Sequence, residues 1–281
     1  MSIDVALASC AKLPEHDPDQ APLLGALRER GVRAEVLAWD EPDARFERAR
    51  LTVIRSTWNY HRAPEQFARW LSAVAEQTEM LNPPDVVRWN MHKRYLLELS
   101  ACGLPVLPTE IVRAAEARAL TSILAARGWQ DVVIKPAVSA GSRLTQRFAS
   151  SELPAAEAHL RAITASEDAL VQPYIPQIEQ RGERSLVWID GEITHALRKA
   201  PRFDGQAEGI TAALDVTDEE RALAHRVIEA VGQPLFYARV DLVSGDSGPT
   251  LMELELIEPS LYFDTSPPSL DRFVDGLIMR L

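Results

Sequence analysis

Three carboxylates stand close together near the end of the chain: Asp241 in YARVDLV, and Glu253 and Glu255 in LMELELIEPS. Both segments have strand composition, and SGDSGP (residues 244–249) between them has the composition of a turn. Side chains two apart on a strand share a face, so Glu253 and Glu255 point together, and hairpin pairing can bring Asp241 beside them. Three like charges on one face repel unless cations stand among them. Oxygen-only donors select a hard cation, and Mg2+ is the usual one beside nucleotide phosphates. Two upstream lysines, Lys93 and Lys135, supply matching positive charge. The set points to an enzyme that consumes a nucleoside triphosphate.

The elements that must position these residues follow from pattern. Residues 2–9 alternate as a strand. Residues 21–31 form an amphipathic helix with Leu23, Leu24 and Leu27 on one face and Gly31 at its end. Strands over 32–39 and 51–57 follow, then a helix over 63–79 that buries Phe67, Trp70, Leu71 and Val74. This βαββα order predicts an α/β unit with a largely parallel sheet. Asn82-Pro83-Pro84 breaks the chain and marks a first linker. Beyond it we expect a helix around 90–102 ending at Gly103, an extended piece at 106–112 and a helix over 114–127. DVVIKPA (131–137) reads as a strand, SAGSRLTQR (138–146) as a polar loop, 151–166 as a helix, and ALVQPYI (169–175) as a strand. RSLVWIDGEITHALRKA (184–200) is a hairpin turning at Asp190-Gly191, 217–232 a helix that precedes the acidic hairpin, and 268–280 a closing helix.

Bulk composition narrows the function classes. The chain has 281 residues, long enough for two or three small subdomains around a cleft. A net charge of −11 argues against a nucleic-acid partner. No run is long and apolar enough to span a bilayer, and the start reads as a strand rather than a signal peptide, so a cytoplasmic location is expected. Cys10 and Cys102 lack metal-ligand spacing, and the six histidines form no cluster, so a zinc site has little support.

The ordered motifs resemble those of the ATP-grasp superfamily, in the branch of glutathione-synthetase-like and RimK-like carboxylate–amine ligases. They are Lys93, VVIKP, a small-residue loop, VQPYI, RVD and ELE. The phrases RSTWNYH, GERSLVWIDGEITHALRK and ELELIEPSLYF are similar to a bacterial subgroup that includes the O-ureido-serine cyclo-ligase of cycloserine biosynthesis. The resemblance implies an α/β ATP-grasp fold. A Rossmann-like pre-ATP-grasp domain would occupy 1–82, a central lobe 83–175, and a C-terminal antiparallel-sheet lobe 176–281. It also implies ATP with two Mg2+ ions (Mn2+ being the alternative), a small-molecule substrate and no membrane partner. Relatives of this kind are often dimeric, and a homodimer stays open.

By the same resemblance, Lys93 (a helical lysine) and Lys135 hold the α- and β-phosphates; the plain alternative is two solvated lysines. Ser139, Gly141 and Ser142 match the phosphate-covering loop, where small residues let backbone N–H groups approach oxygens. Gln172, Tyr174 and Ile175 match the adenine hinge, with Gln172 facing the exocyclic amine. Gln177 falls where relatives place a ribose-binding carboxylate, with Glu179 and Glu183 as substitutes. Asp241, Glu253 and Glu255 are the metal ligands; Glu255 replaces the asparagine of the commoner E-x-N pattern.

Arg239 shares a face with Asp241 and is the candidate that stabilises the transferring phosphoryl group. The alternative is simple balancing of the acids. Lys199, with neighbouring Arg198, is a second cationic candidate. On the substrate side, Arg55, Ser56, Thr57, Trp58 and Asn59 lie at the carboxyl end of a strand, where ligand crevices form. They serve equally well as a helix N-cap with Trp58 as packing. Arg202 and Ser260 complete the substrate set. The expected activity is formation of an acyl phosphate on an amino-acid-like substrate and its capture by nitrogen. The alternative is closure of one molecule into a cycloserine-like ring.

Overall fold

In the computed structural model, residues 3–200, 209–211, 215–245 and 248–281 are described. Strands β1 (Ile3–Ser9), β2 (Ala34–Ala38), β3 (Ala49–Ser56) and β4 (Glu79–Leu81) form a parallel sheet in the order β2-β1-β3-β4. Parallel strands covered on both faces need apolar residues at successive positions, and Val5, Ala6, Leu7 and Ala8 of β1 are all buried. One face packs Leu23 and Leu27 of α1 (Gln20–Glu29). The other packs Phe67, Leu71 and Val74 of α2 (Pro64–Ala75). α2 is shorter than its sequence pattern: it ends at Ala75, and Met80 and Leu81 extend instead as β4 beside β3.

Two short helices, α3 (Pro84–Asn90) and α4 (Tyr95–Ala101), follow. The single helix expected around 90–102 is therefore broken, and Lys93 lies between the two pieces rather than on a helix. The cause is local. The Lys93 N–H donates to Ala137 O at 2.8 Å, and the Arg94 N–H is taken by His92 Nδ1 at 3.1 Å. Both bonds divert backbone donors from a helical ladder.

A second sheet has the order β5-β8-β6-β7, all antiparallel, from β5 (Glu110–Val112), β6 (Val132–Pro136), β7 (Gln146–Phe148) and β8 (Ala169–Pro173). Helices α5 (Leu120–Arg127) and α6 (Leu153–Thr164) pack on it through Leu120, Ile123, Leu160 and Ile163. The helix expected over 114–127 starts only at Leu120, because the Ala114 and Ala115 N–H groups bond Asp168 Oδ1 and Thr164 O.

The third sheet is antiparallel in the order β11-β10-β9-β12-β13. It contains β9 (Glu183–Ile189), β10 (Glu192–Lys199), β11 (Ile210–Thr211), β12 (Tyr237–Gly245) and β13 (Gly248–Glu255). A one-turn helix α7 (Gln177–Arg181) leads into it, and α8 (Asp218–Ala230) and α9 (Pro267–Ile278) cover it. β9 and β10 turn at Asp190 and Gly191, whose φ values of 44° and 91° suit a tight hairpin. At the acidic hairpin's turn, Asp246 and Ser247 lie outside the described residues.

Strand β13 borders the sheet, yet its outward backbone groups at Leu251 and Leu254, and those of Leu256 just beyond it, are occupied. Leu254 N–H donates to Tyr95 Oη, and Asn90 Nδ2 donates to Leu254 O. Asn90 Oδ1 accepts from Leu256 N, and Asn82 Nδ2 donates to Leu256 O. Leu251 exchanges backbone bonds with Pro105 O and Leu107 N. Among the described residues, no helix is long and apolar enough to cross a membrane.

Candidate active site

A cavity of about 430 Å³ lies where the three sheets approach one another. That volume suits a small-molecule site. β12 and β13 contribute its floor: as expected, pairing brings Asp241 beside the glutamates, opposite Glu253, and it sets Arg239 opposite Glu255. β6 contributes Lys135, and the α3–α4 connection contributes Lys93.

The carboxylates on this floor are held by protein cations. Glu253 sits between two lysines, with Lys93 Nζ at 3.1 Å from Oε1 and Lys135 Nζ at 3.2 Å from Oε2. Burial acts to raise its pKa, but Lys135 and Lys93 overcome this and hold it far below the usual carboxylate range. Arg239 Nε donates to Asp241 Oδ1 at 2.9 Å, and its Nη2 bonds Glu255 Oε1 as well as Asp241 Oδ2. Lys199 Nζ lies 2.9 Å from Glu183 Oε1 and 3.8 Å from Asp241 Oδ2. Against burial, Arg239 and Lys199 lower the Asp241 pKa.

The cations do not satisfy every acid. Burial raises Glu183 to about 7 despite Lys199, and burial with Asp241 and Glu253 nearby raises Glu255 despite Arg239. Glu258, which also lines the cavity, is pushed well above its ordinary value by burial and then by Glu255. On this floor, among the described residues, Glu183, Asp241, Glu253, Glu255 and Glu258 thus meet Lys93, Lys135, Lys199 and Arg239, while Arg62 and Arg143 also line the cavity. Added positive charge would stabilise this oxygen-only set, and that fits a hard divalent cation. Among the described residues, no three histidine, cysteine or acidic side chains already converge as a metal cage. The cations that sequence reasoning required between the carboxylates are, in this structure, lysines and an arginine.

The 138–145 loop folds over this floor. Ser139, Gly141, Ser142 and Thr145 line the cavity, and Gly141, Ser142 and Leu144 have φ of 60°, 58° and 53°. Ser139 O accepts from Lys93 Nζ at 3.0 Å, so loop and lysine are joined. Further along β6 and β8 the lining turns apolar, with Val133, Tyr174, Ile175 and Ile178 beside Gln172. Tyr174 is braced from outside: its hydroxyl donates to Glu179 at 2.6 Å, and Arg147 lies 3.7 Å above its ring.

A family model described as the D-cycloserine synthetase DcsG N-terminal domain matches residues 5–82. The cycloserine biosynthesis protein DcsG of Streptomyces lavendulae is 33% identical, with 100% of this chain and 99% of that protein aligned. The chain belongs to the DcsG family of ATP-grasp ligases. The crystal structure of D-cycloserine synthetase DcsG superposes with a TM-score of 0.89 at 32% identity, covering 98% of this chain and 99% of that one. The ATP-grasp ligase PsnB with its minimal precursor shares the fold, with a TM-score of 0.70 at 19% identity over the whole of both chains. As a member of this family, the protein is an ATP-dependent enzyme that forms carbon–nitrogen bonds.

Within this DcsG-family cavity the structure gathers many of the expected residues: Lys93, Lys135, Ser139, Gly141, Ser142, Gln172, Tyr174, Ile175, Glu183, Lys199, Arg239, Asp241, Glu253, Glu255, Trp58 and Ser260. Others stand elsewhere. Gln177 begins α7 and does not line the cavity, because that helix turn presents Ile178 instead. Arg198 faces away and donates to Arg181 O and Gln180 O.

Arg55 also lies outside. Its Nη2 donates to Pro259 O at 2.9 Å and faces Asp19 Oδ2 at 3.4 Å; still on β3, it packs against the 259–263 segment, and the chain reaches the cavity only from Trp58 onward. Asp19 in turn accepts from the N–H groups of Leu261, Tyr262 and Phe263. Ser56 bonds Ser9, Thr57 is buried, and Asn59 bridges Trp39 and Asp40. Arg202 lies outside the described residues.

Sequence reasoning passed over Glu258, Tyr262, His61 and Arg62, all of which line the cavity, as does Tyr60 at the end of the expected substrate segment. Glu258 had a signal, since it continues the acidic run of ELELIEPS. His61 and Arg62 had none beyond adjacency to Trp58.

Proposed function

We propose that this protein is a ring-closing ligase that acts on a single O-ureido-serine-type substrate and yields a cycloserine-like ring, ADP and phosphate. The observation that carries the nucleotide reading is Glu253 suspended between Lys93 and Lys135 in one cavity with Arg239. Phosphate oxygens would replace Glu253 as partners of the lysines, freeing the carboxylate. Asp241, Glu253 and Glu255 would then hold Mg2+, which when bound neutralises phosphate charge. Two ions are proposed, with Mn2+ as the alternative. Ring closure rests on similarity to DcsG along the full chain.

In this reading one substrate carboxylate oxygen attacks the γ-phosphorus and ADP departs. The nitrogen next to the side-chain oxygen then attacks the acyl carbon, loses its proton, and phosphate leaves. Arg239 faces the oxygens that gain charge in both steps, and its planar guanidinium suits them. The wall formed by Trp58, Tyr60 and His61 with Glu258 and Ser260 would receive the amino-acid part. We also propose the divisions 1–82, 83–175 and 176–281 as the three functional units.

The test is phosphate release from ATP and Mg2+ against O-ureido-serine, other O-substituted serines and paired amino acids. Turnover with O-ureido-serine alone, giving a product without a free carboxylate, is expected. Turnover only when a second amine is added would replace ring closure with intermolecular ligation.

A further inference from the structure

Gln172 lines the cavity, and a residue behind it sets its amide orientation. Thr109 is buried and does not line the cavity. Its hydroxyl donates to Leu107 O at 2.8 Å, and Gln172 Nε2 donates to the same hydroxyl at 2.9 Å. The Leu107 carbonyl takes no other hydrogen bond among the described residues, and that sets the direction of this chain. A carbonyl oxygen cannot donate, so the single Thr109 proton goes to Leu107, and only a lone pair remains for Gln172. The amide must therefore present nitrogen to Thr109. Its Oε1 is left as an acceptor that no donor reaches among the described residues.

We propose that Thr109 is a positioning residue that sets nucleobase selectivity, by fixing Gln172 Oε1 as the acceptor offered to the base edge. This rests on the nucleotide reading above. A 6-amino purine can donate to that oxygen. A 6-oxo purine would place acceptor against acceptor in a desolvated slot beside Val133 and Tyr174, which leaves both groups unsatisfied. Without the Thr109 hydroxyl, the amide can turn over and present Nε2 to a 6-oxo group.

The experiment is calorimetric binding of ADP and GDP, with Mg2+, to the full-length protein and to T109V, T109S, Q172E and T109V/Q172E. We expect the wild type to prefer ADP, and T109V to lower the ADP:GDP affinity ratio by about tenfold or more, as loss of one oriented hydrogen bond implies. T109S should keep the ratio. In the Q172E background T109V should leave the ratio unchanged, because both carboxylate oxygens accept whichever way the group is turned. T109A replaces T109V if valine prevents folding. An unchanged ratio in T109V overturns the inference, as does an equal fall in affinity for both nucleotides, which would mark Thr109 as merely structural. A wild type that binds neither nucleotide overturns the nucleotide reading itself.

Discussion

Arg55 and Arg239 are both 4% exposed, both extend from strands, and both lie near aromatic rings, yet they belong to different machinery. Arg239 points into the cavity and divides its donors between Asp241 and Glu255. Arg55 is kept out of the cavity beside Tyr237 and Phe273, and its Nε and Nη1 have no hydrogen-bond partner among the described residues. Its work is to join β3 to the segment that carries Glu258 and Ser260. A buried arginine on a strand is thus part of the cavity lining in one region and a rivet in the other. What separates them is where the guanidinium lies: Arg239 lines the cavity with Asp241 and Glu255, whereas Arg55 meets Asp19 and Pro259 O outside it.

Four substitutions would break or sharpen that contrast. Glu253→Gln should have the largest effect, removing the charge shared by Lys93 and Lys135 and lowering ATP turnover by roughly 10³-fold or more. Full activity in a phosphate-release assay would end the metal assignment. Arg239→Met should lower kcat by about 10²–10³-fold with a smaller change in ATP affinity. A change in affinity alone would reduce Arg239 to a balancing charge.

Arg55→Met should act mainly on stability. Breaking the buried contact with Asp19 costs about 3 kcal/mol, which lowers the melting temperature by roughly 5–10 °C while kcat stays within about tenfold at permissive temperature. A kcat loss as large as that of Arg239→Met, with an unchanged melting temperature, would move Arg55 into the site. Gln177→Ala should change nucleotide affinity by no more than about twofold, as for ordinary surface positions. A larger loss on titration with ADP would restore its ribose contact.

The parts of the site legible in the sequence are those whose partners are near in the chain. Arg239 and Asp241 are two apart on β12, as Glu253 and Glu255 are on β13, and the hairpin between them leaves little freedom of register. Arg55 looked like a substrate residue because its partners, Asp19 and Pro259, are 36 and 204 positions away. The fold followed the same rule. Strands with strong apolar runs such as β1 and β6 were evident. Lys93 escaped its expected helix because Ala137 O, a distant acceptor, takes its N–H. Thr109 carried no signal at all, since nothing local pairs it with Gln172 across 63 residues.

The border of β13 has a consequence for what this enzyme can recognise. Enzymes that act on peptides often recruit them by adding a strand to an open sheet edge, where free backbone groups supply the affinity. Here Asn82, Asn90 and Tyr95 already occupy those groups at Leu254 and Leu256, next to the acidic floor of the cavity. At these positions an extended peptide would have to displace those side chains to pair. In the small-molecule reading proposed above, selection of the substrate falls instead to side chains inside the cavity.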